Sequence, residues 1–426
     1  MKFIHFADLH LGVETYGSVN SESGISSRLN DFLTSFDYMV DCAVQEKVDL
    51  VLFCGDAYKS RSPSQTQQRE FAKRIKRLSD SGIAVLLLAG NHDMPNASAR
   101  ATTMDIFDTL GIACVKVATR PQLCRIPTPS GEIQVIALPW LRRSAVSAHE
   151  DVQGMDFNQI NDKMSQILTR IIDEFAAKLD PSIPAVLATH AWVQGARTSS
   201  ESSMSIGNEH TLLVSSIAYP AFDYVALGHI HRHQVLNEHP PVVYCGSLER
   251  LDFGDENDDK GFYLVEIDCR GQKRNTTYAF HRVSGRRFFS IKASVSTEDI
   301  SPTESILELL QSVATDISGN IVRIELTIPH ECIGRVDEPR LRQVALSQLN
   351  ASYFDISRNI IRETRPRLGD VSAEALTPTQ ALESYLRLQS EYYSPDTIAK
   401  LTEMGKEIIR EVDAGEFSVL HSNADI

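Results

Sequence analysis

None of the seven cysteines of this 426-residue chain falls in a CxxC pair. No apolar run approaches the roughly 20 residues that a helical membrane span requires. The first absence argues against a thiolate zinc site or a disulfide framework, and Cys54 and Cys245 sit in apolar runs that read as strands, so reduced, buried thiols are expected. The second speaks against a membrane protein. The N-terminus carries Lys2 and Asp8 with no long apolar core, so no signal peptide is expected and the chain reads as soluble and cytoplasmic. An excess of positive charge is missing too. The formal net charge of −14 argues against blanket attraction to nucleic acid, although a local basic groove can act inside an acidic protein. Tandem repeats and low-complexity tracts are absent.

What is present is a recurring arrangement in which an apolar run delivers chemically capable residues. The opening MKFIHFADLHLG places Asp8 and His10 two positions apart. Side chains at i and i+2 of a strand share one side, so this carboxylate and imidazole are expected to leave the strand together. Residues 49–54 run into Gly55 and Asp56, and residues 84–89 into Gly90, Asn91, His92 and Asp93. Residues 185–189 end on His190, and residues 222–227 on Gly228, His229, Ile230 and His231. Between these strands the spacing predicts helices over 28–46, from Ser62–Pro63 as cap and first turn to about Gly82, over 101–110 and over 157–179. Strand–helix alternation with polar residues at the strands' carboxyl ends is how α/β sheets build sites. Strands at 112–118, 133–138, 242–245 and 262–267 complete a domain over residues 1–280.

The pattern then changes. Residues 281–363 read as a small α+β module: strands at 287–295, 320–328 and 353–361, helices at 302–316 and 338–350. A polar linker, 364–376, leads to residues 377–426, where Thr377–Pro378 and Ser394–Pro395 open two helices. Their apolar stripes (Ala381, Leu382, Tyr385, Leu386; Ile398, Leu401, Ile408, Val412) either fold back on their own domain or dock on a partner helix.

Carboxylate, imidazole and amide oxygen suit borderline-to-hard divalent metals such as Mn²⁺, Fe²⁺ or Zn²⁺. Asp8, His10, Asp56, Asn91, His190, His229 and His231 exceed what one ion takes from protein, so two ions are expected, with a carboxylate able to bridge them.

The ordered set DLH, GD, GNHD, H and GHIH resembles the calcineurin-like metallophosphoesterase family. Within it GNHDMP, LGHIHRHQV and YCGSLERLDFGDENDDKGF are similar to the branch of SbcD-type exonuclease subunits, the bacterial counterpart of the meiotic-recombination nuclease subunit. The resemblance implies an α/β fold: a metallophosphoesterase β-sandwich flanked by helices, with a small α+β capping domain and C-terminal helices. It implies that Asp8, His10 and His231 hold one metal, that Asn91, His190 and His229 hold the second, and that Asp56 bridges both. His92 is then no ligand but stands beside the scissile phosphate and protonates or stabilises the leaving oxygen, with a water activated by the ion pair as nucleophile. The implied ions are Mn²⁺ first, with Mg²⁺, Fe²⁺ or Zn²⁺ as alternatives. The implied activity is DNA exonuclease and hairpin or end endonuclease, in repair, recombination and replication. The implied partners are DNA and an SbcC-type ATPase whose coiled coil receives the C-terminal helices, in a two-plus-two heterotetramer built on a homodimer, cytoplasmic and nucleoid-associated, with no membrane.

One departure stands out. Lys59 occupies a position where the family often carries Asp or His, which puts the surroundings of the metal pair in question rather than the pair itself. The basic clusters at 73–77, 142–143, 270–274, 282–287 and 358–367 read as solvated faces, with the capping arginines ranked first as phosphate contacts. His5, His149, His210, His233, His239, His281, His330 and His421 read as core, surface or neighbouring histidines. A phosphoesterase acting on small diesters or phosphoproteins, and a non-catalytic scaffold with a relic site, are the alternatives; no ligand of the implied set is missing, which favours catalysis.

Overall fold

The computed structural model describes residues 1–22, 24–95, 100–142, 155–200, 211–270, 274–361, 377–388 and 393–413. The expected linker 364–376, most of the Ser-rich segment around 195–210, and Arg143, His149, His210 and His421 lie outside them.

Two six-stranded sheets face each other. The first has the order β14-β13-β1-β2-β3-β4, formed by Asn275–Arg282, Gly261–Asp268, Lys2–Phe6, Leu50–Phe53, Ala84–Leu88 and Val115–Ala118. The second has the order β11-β12-β10-β7-β6-β5, formed by Gln234–Glu238, Pro241–Tyr244, Tyr224–Gly228, Ala185–His190, Gly131–Leu138 and Gln122–Thr128. Each has four parallel strands in its interior or at one edge and antiparallel strands outside them. The parallel strands are buried on both faces, as β2 (LVLF) and β3 (AVLLL) show, and so read as unbroken apolar runs.

Alternation along β1 explains the layering. Phe3 points between the sheets with Leu50, Leu52, Val186 and Ala226, whereas Ile4 and Phe6 point outward beneath helices α1 (Ser27–Gln45) and α2 (Gln65–Asp80). The outer face of the second sheet is covered by α4 (Phe157–Ala176), through Leu168 and Ile172. A short helix, α3 (Asp105–Thr109), precedes β4. His5 lies in the inter-sheet layer, within hydrogen-bond distance of the Tyr224 hydroxyl and the Leu227 carbonyl, and burial lowers its pKa to about 3: a neutral core histidine, as expected.

Some boundaries move. Helix α2 opens two residues later than Ser62, because Ser64 and Gln67 form a reciprocal capping box. Edge strands β5, β11 and β14 alternate or expose polar side chains and carry no apolar run to announce them. Strands β15 (Phe288–Ser294), β16 (Ile321–Pro329) and β17 (Tyr353–Ile361) form a separate three-stranded sheet. It is covered by α5 (Pro302–Ser312), after which residues 314–317 make their own turn, and by α6 (Glu338–Gln343), which continues as a wider turn over Val344–Gln348. Phe288, Ile321 and Tyr353 pack on Tyr16 and Phe253 of the sandwich, and Arg323 lies 4.0 Å over the Phe253 ring.

Residues 1–328 and 332–359 form one compact unit; residues 329–331 and 360–426 form a second. In the second, α7 (Pro378–Leu388) and α8 (Pro395–Asp413) pair, with Gly405 against Leu382 so closely that a Cβ would meet it at 2.3 Å. All seven cysteines are free, four of them buried.

Candidate metal centre

The parallel strands of both sheets end at one rim, and the polar residues after β1, β2, β3, β7 and β10 converge there. Asp8 and His10 do not lie on the strand. It ends at Phe6, and both residues adopt left-handed backbone (φ 51° and 46°), as do Asp56 (φ 60°) and His229 (φ 100°). The expected pairing of Asp8 with His10 is met, but by a turn rather than by strand alternation. Such conformations cost about 1–3 kcal/mol each for residues other than glycine and persist where surrounding bonds hold them. Here the Asp8 N–H donates to the Gly55 carbonyl (2.9 Å), the His10 N–H to the Asp56 carbonyl (3.0 Å), and the His229 N–H to both Asp8 carboxylate oxygens (3.0 Å each).

Three overlapping clusters of donor atoms result: Asp8, His10 and His231; His10, Asp56 and His92; Asp56, His190 and His229, each with its atoms within 4.8 Å of one another. The Asp56 Oδ2 atom lies 3.6 Å from His10 Nε2 and 3.4 Å from His190 Nε2, between the two outer clusters. Asn91 Oδ1 approaches His190 Nε2 at 2.9 Å. His229 and His231, two residues apart, fall in different clusters. Gly90 is required by this crowding, since a Cβ there would sit 2.1 Å from Asp56 Oδ1.

The imidazoles are oriented for metal. The Cys54 carbonyl accepts from His190 Nδ1 (2.7 Å) and the Lys59 carbonyl from His92 Nδ1 (2.7 Å), and each bond fixes the orientation of its ring. Ser200 Oγ lies 2.7 Å from His231 Nδ1, and His231 Nε2 faces His10 Nε2 at 3.0 Å. Burial lowers His231 to about 3, against the pull of Asp255, and holds His10 well below its usual value despite Asp56. Two neutral ring nitrogens that close, beside buried carboxylates, are the donor set a divalent cation satisfies.

His92 is the least enclosed of the group, its ring edge-on to His10 at 5.0 Å. Its orienting partner is a backbone oxygen, so the lysine side chain at position 59, which is exposed, leaves that bond untouched.

A model of the calcineurin-like phosphoesterase family matches residues 1–233. The chain belongs to that family. Among curated proteins, this phosphoesterase is similar to the SbcD component of nuclease SbcCD from Escherichia coli K12 and from Escherichia coli O157:H7. Each is 27% identical over 278 residues, covering 62% of this chain and 64% of the relative, so the chain matches less than two thirds of those proteins. Among solved structures, a dimetal phosphatase from Danio rerio covers 65% of this chain and 98% of its own at 11% identity, with a TM-score of 0.38.

The phosphoesterase site holds residues that sequence reasoning passed over or placed elsewhere. Asp93 serves the main chain. Its carboxylate accepts from the N–H groups of Asp56 (2.8 Å), Ala57 (3.0 Å) and Gly90 (2.9 Å), tying the turns after β2 and β3 together. Behind His231, the fully buried Lys260 donates to the His231 carbonyl (2.9 Å) and pairs with Asp255 (3.2 Å); both lie in the DFGDENDDKGF stretch, which was informative as a mark but carried no role. His233 stacks on Phe280 at 3.8 Å, away from the clusters. Most of the basic clusters carry an ion-paired arginine: Arg74 with Glu70 and Asp37, Arg286 with Asp31, Arg274 with Asp223, Arg358 with Glu338. Arg142 differs: burial and the nearby Arg61 charge lower its pKa.

A cation bound among these groups of the phosphoesterase would compete with protons. Burial alone would lower His190, but the Asp56 and Asp8 carboxylates and the Cys54 carbonyl raise it to about 9. For Asp56, burial pushes up and is overcome by His190, His92 and His10, which hold the carboxylate ionised. Below about pH 9 His190 therefore carries a proton, which a cation bound to this ring would have to displace. Calorimetric titration with Mn²⁺ at about pH 7.5, in two buffers of different ionisation enthalpy, should show at least one proton released per chain, with affinity rising with pH up to about 9. A buffer-independent enthalpy would contradict this.

Proposed function

We propose that the chain is an SbcD-like nuclease subunit that hydrolyses DNA phosphodiester bonds, as exonuclease and as hairpin or end endonuclease, with a dinuclear metal centre. The observation that carries the hydrolytic reading is the position of the Asp56 carboxylate between the His10 and His190 rings, linking two donor clusters that each draw on both sheets. In this reading Asp8, His10 and His231 hold one ion, Asn91, His190 and His229 the other, and Asp56 both, with Mn²⁺ proposed ahead of Mg²⁺, Fe²⁺ or Zn²⁺. Bound there, the ions would supply Lewis acidity that acidifies an attacking water and offsets charge on the phosphate. The chain's own residues do the rest. His92, its Nδ1 proton committed to the Lys59 carbonyl, presents Nε2 as the group that protonates or stabilises the leaving oxygen. Asp93 keeps Asp56 and His92 in register, and Ser200 sets the His231 ring.

DNA as substrate is supported by the similarity to the SbcD component of nuclease SbcCD and by the Arg61–Arg142 pair of like charges, with Arg142 beside Met94 of the GNHDMP turn. Docking of the C-terminal helices on the coiled coil of an SbcC-type ATPase, in a two-plus-two assembly, is supported by α8. It exposes Leu401, Met404, Ile408 and Val412 at helical spacing, an apolar stripe unlike a solvated face.

The test is cleavage of an end-labelled duplex and a hairpin by the purified chain in Mn²⁺ and in Mg²⁺, alone and with an SbcC-type ATPase and ATP. Metal-dependent release of nucleotides is expected. Hydrolysis of small phosphoesters with no DNA cut under any of these conditions would overturn the nuclease assignment and leave a general phosphoesterase.

A further inference from the structure

The metal centre leaves both tryptophans of the chain without a role. Trp140, just beyond β6, lies with its ring 5.2 Å from His229 and tilted by 38°; its backbone N–H donates to the Ala89 carbonyl at 3.0 Å. Trp192 opens a two-residue strand, β8 (Trp192–Val193), which pairs with β9 (Thr211–Leu212). It stands two positions after His190, and its indole meets the His229 ring at 5.9 Å and 66°. The same indole lines a cavity of about 610 Å³ together with Asp162, Gln166, Gln194, Thr211 and Leu213. That volume falls in the range of small-molecule sites.

The chemistry of the lining restricts the occupant. An aromatic plate and a leucine offer apolar faces, two primary amides offer donors and acceptors, and no lysine, arginine or histidine lines the cavity among the described residues. An aspartate in the lining disfavours a phosphate. What fits is a flat, uncharged group with a hydrogen-bonding edge. Trp192 joins the cavity to the site, since it lines the one and meets the His229 ring of the other at 5.9 Å, and in a nucleotide one sugar separates the phosphate from such a group.

We propose that this cavity receives the base of the nucleotide whose phosphate lies at the metal centre, with Trp192 as its stacking face and the amides of Gln166 and Gln194 available to its edge. The inference rests on the phosphoesterase reading of the site and adds a substrate contact to it. Stacking on an aromatic side chain accepts any base, so the cavity would confer preference for nucleotides over other phosphoesters without reading sequence.

The scarcity of tryptophan supplies the readout. In a Trp140→Phe variant of the full chain, Trp192 is the remaining indole fluorophore. Titrated in Mg²⁺, dAMP should quench its emission and bind about tenfold more tightly than 2-deoxyribose 5-phosphate, which lacks the base, a margin within that of one stacked base. Calorimetry on the otherwise unaltered chain should show the same margin. Trp192→Ala should lose it while still taking up two ions per chain, and Trp192→Phe should keep most of it. Equal affinity of the two ligands for the unaltered chain, or an undiminished margin in Trp192→Ala, would overturn the proposal. Hydrolysis of phosphodiesters without a base margin would remove the pocket and leave the phosphoesterase reading standing. A base margin without hydrolysis would keep the pocket and remove that reading.

Discussion

Replacing His92 by alanine should leave both ions bound and lower phosphodiester cleavage by about two to four orders of magnitude, the usual loss when a positioned acid–base group is removed. The reasoning is geometric. His92 shares a cluster with His10 and Asp56, so its ring is near enough to act, yet it is the least enclosed of the imidazoles and is steered by a backbone oxygen on an outer turn. The buried rings His10, His190 and His231 instead sit against carboxylates and one another within the clusters. Metal content by elemental analysis and cleavage of an oligonucleotide are the two readings. Loss of an ion together with activity would make His92 a ligand and reassign the acid.

The second large effect is expected at a residue that touches no substrate. Asp93→Ala removes one carboxylate and leaves three buried N–H groups, of Asp56, Ala57 and Gly90, without their acceptor. An unsatisfied buried donor costs about 1–3 kcal/mol, so a loss of about 3 kcal/mol or more of unfolding free energy is expected. Asp93→Asn should not rescue it. Oδ2 serves Asp56 and Gly90 while Oδ1 serves Ala57, so either orientation of the amide turns an NH₂ group toward an N–H donor. Because Asp93 fixes the turns that carry Asp56 and Asn91, both variants should also bind metal about 10–100-fold more weakly, as losses behind a metal site typically do. Denaturant midpoints and Mn²⁺ titrations measure the two parts; unchanged affinity in Asp93→Ala would show that the turns hold without it.

How much of this was legible in the sequence follows from burial. The parallel strands β1, β2, β3, β7 and β10 are covered on both faces, so their sequences are unbroken apolar runs, and their ends announce the polar residues that cluster. Strand β14 (NTTYAFHR) is half exposed and lies between two stretches that looked like basic surface, so nothing in its composition marked it as the edge of a sheet. The seven candidate ligands and His92 are brought together at one rim. The left-handed turns that do so were not legible, because positive φ is uncommon for any residue but glycine and the bonds that hold it here come from distant parts of the chain. Asp93 shows the same limit: its neighbour in sequence is His92, but its partners are main-chain donors, one of them 37 residues away. Trp192 could have been found, since it follows His190 at the i+2 spacing that paired other site residues.

The rim also bears on how the molecule holds itself together. Asp8, His10, Asp56 and Asn91 follow strands of the first sheet, whereas His190, His229 and His231 follow strands of the second. A cation shared by these groups would bind only when the two sheets are docked, with ligands drawn from opposite ends of a stretch of more than two hundred residues. Ligand set and tertiary assembly are then one equilibrium. Ion occupancy would favour the docked sandwich by mass action, about 2.7 kcal/mol for an ion at a hundred times its dissociation constant, and its withdrawal would be felt across the inter-sheet layer as much as at the reacting phosphate. The catalytic centre of this phosphoesterase would thus double as the clasp of its fold.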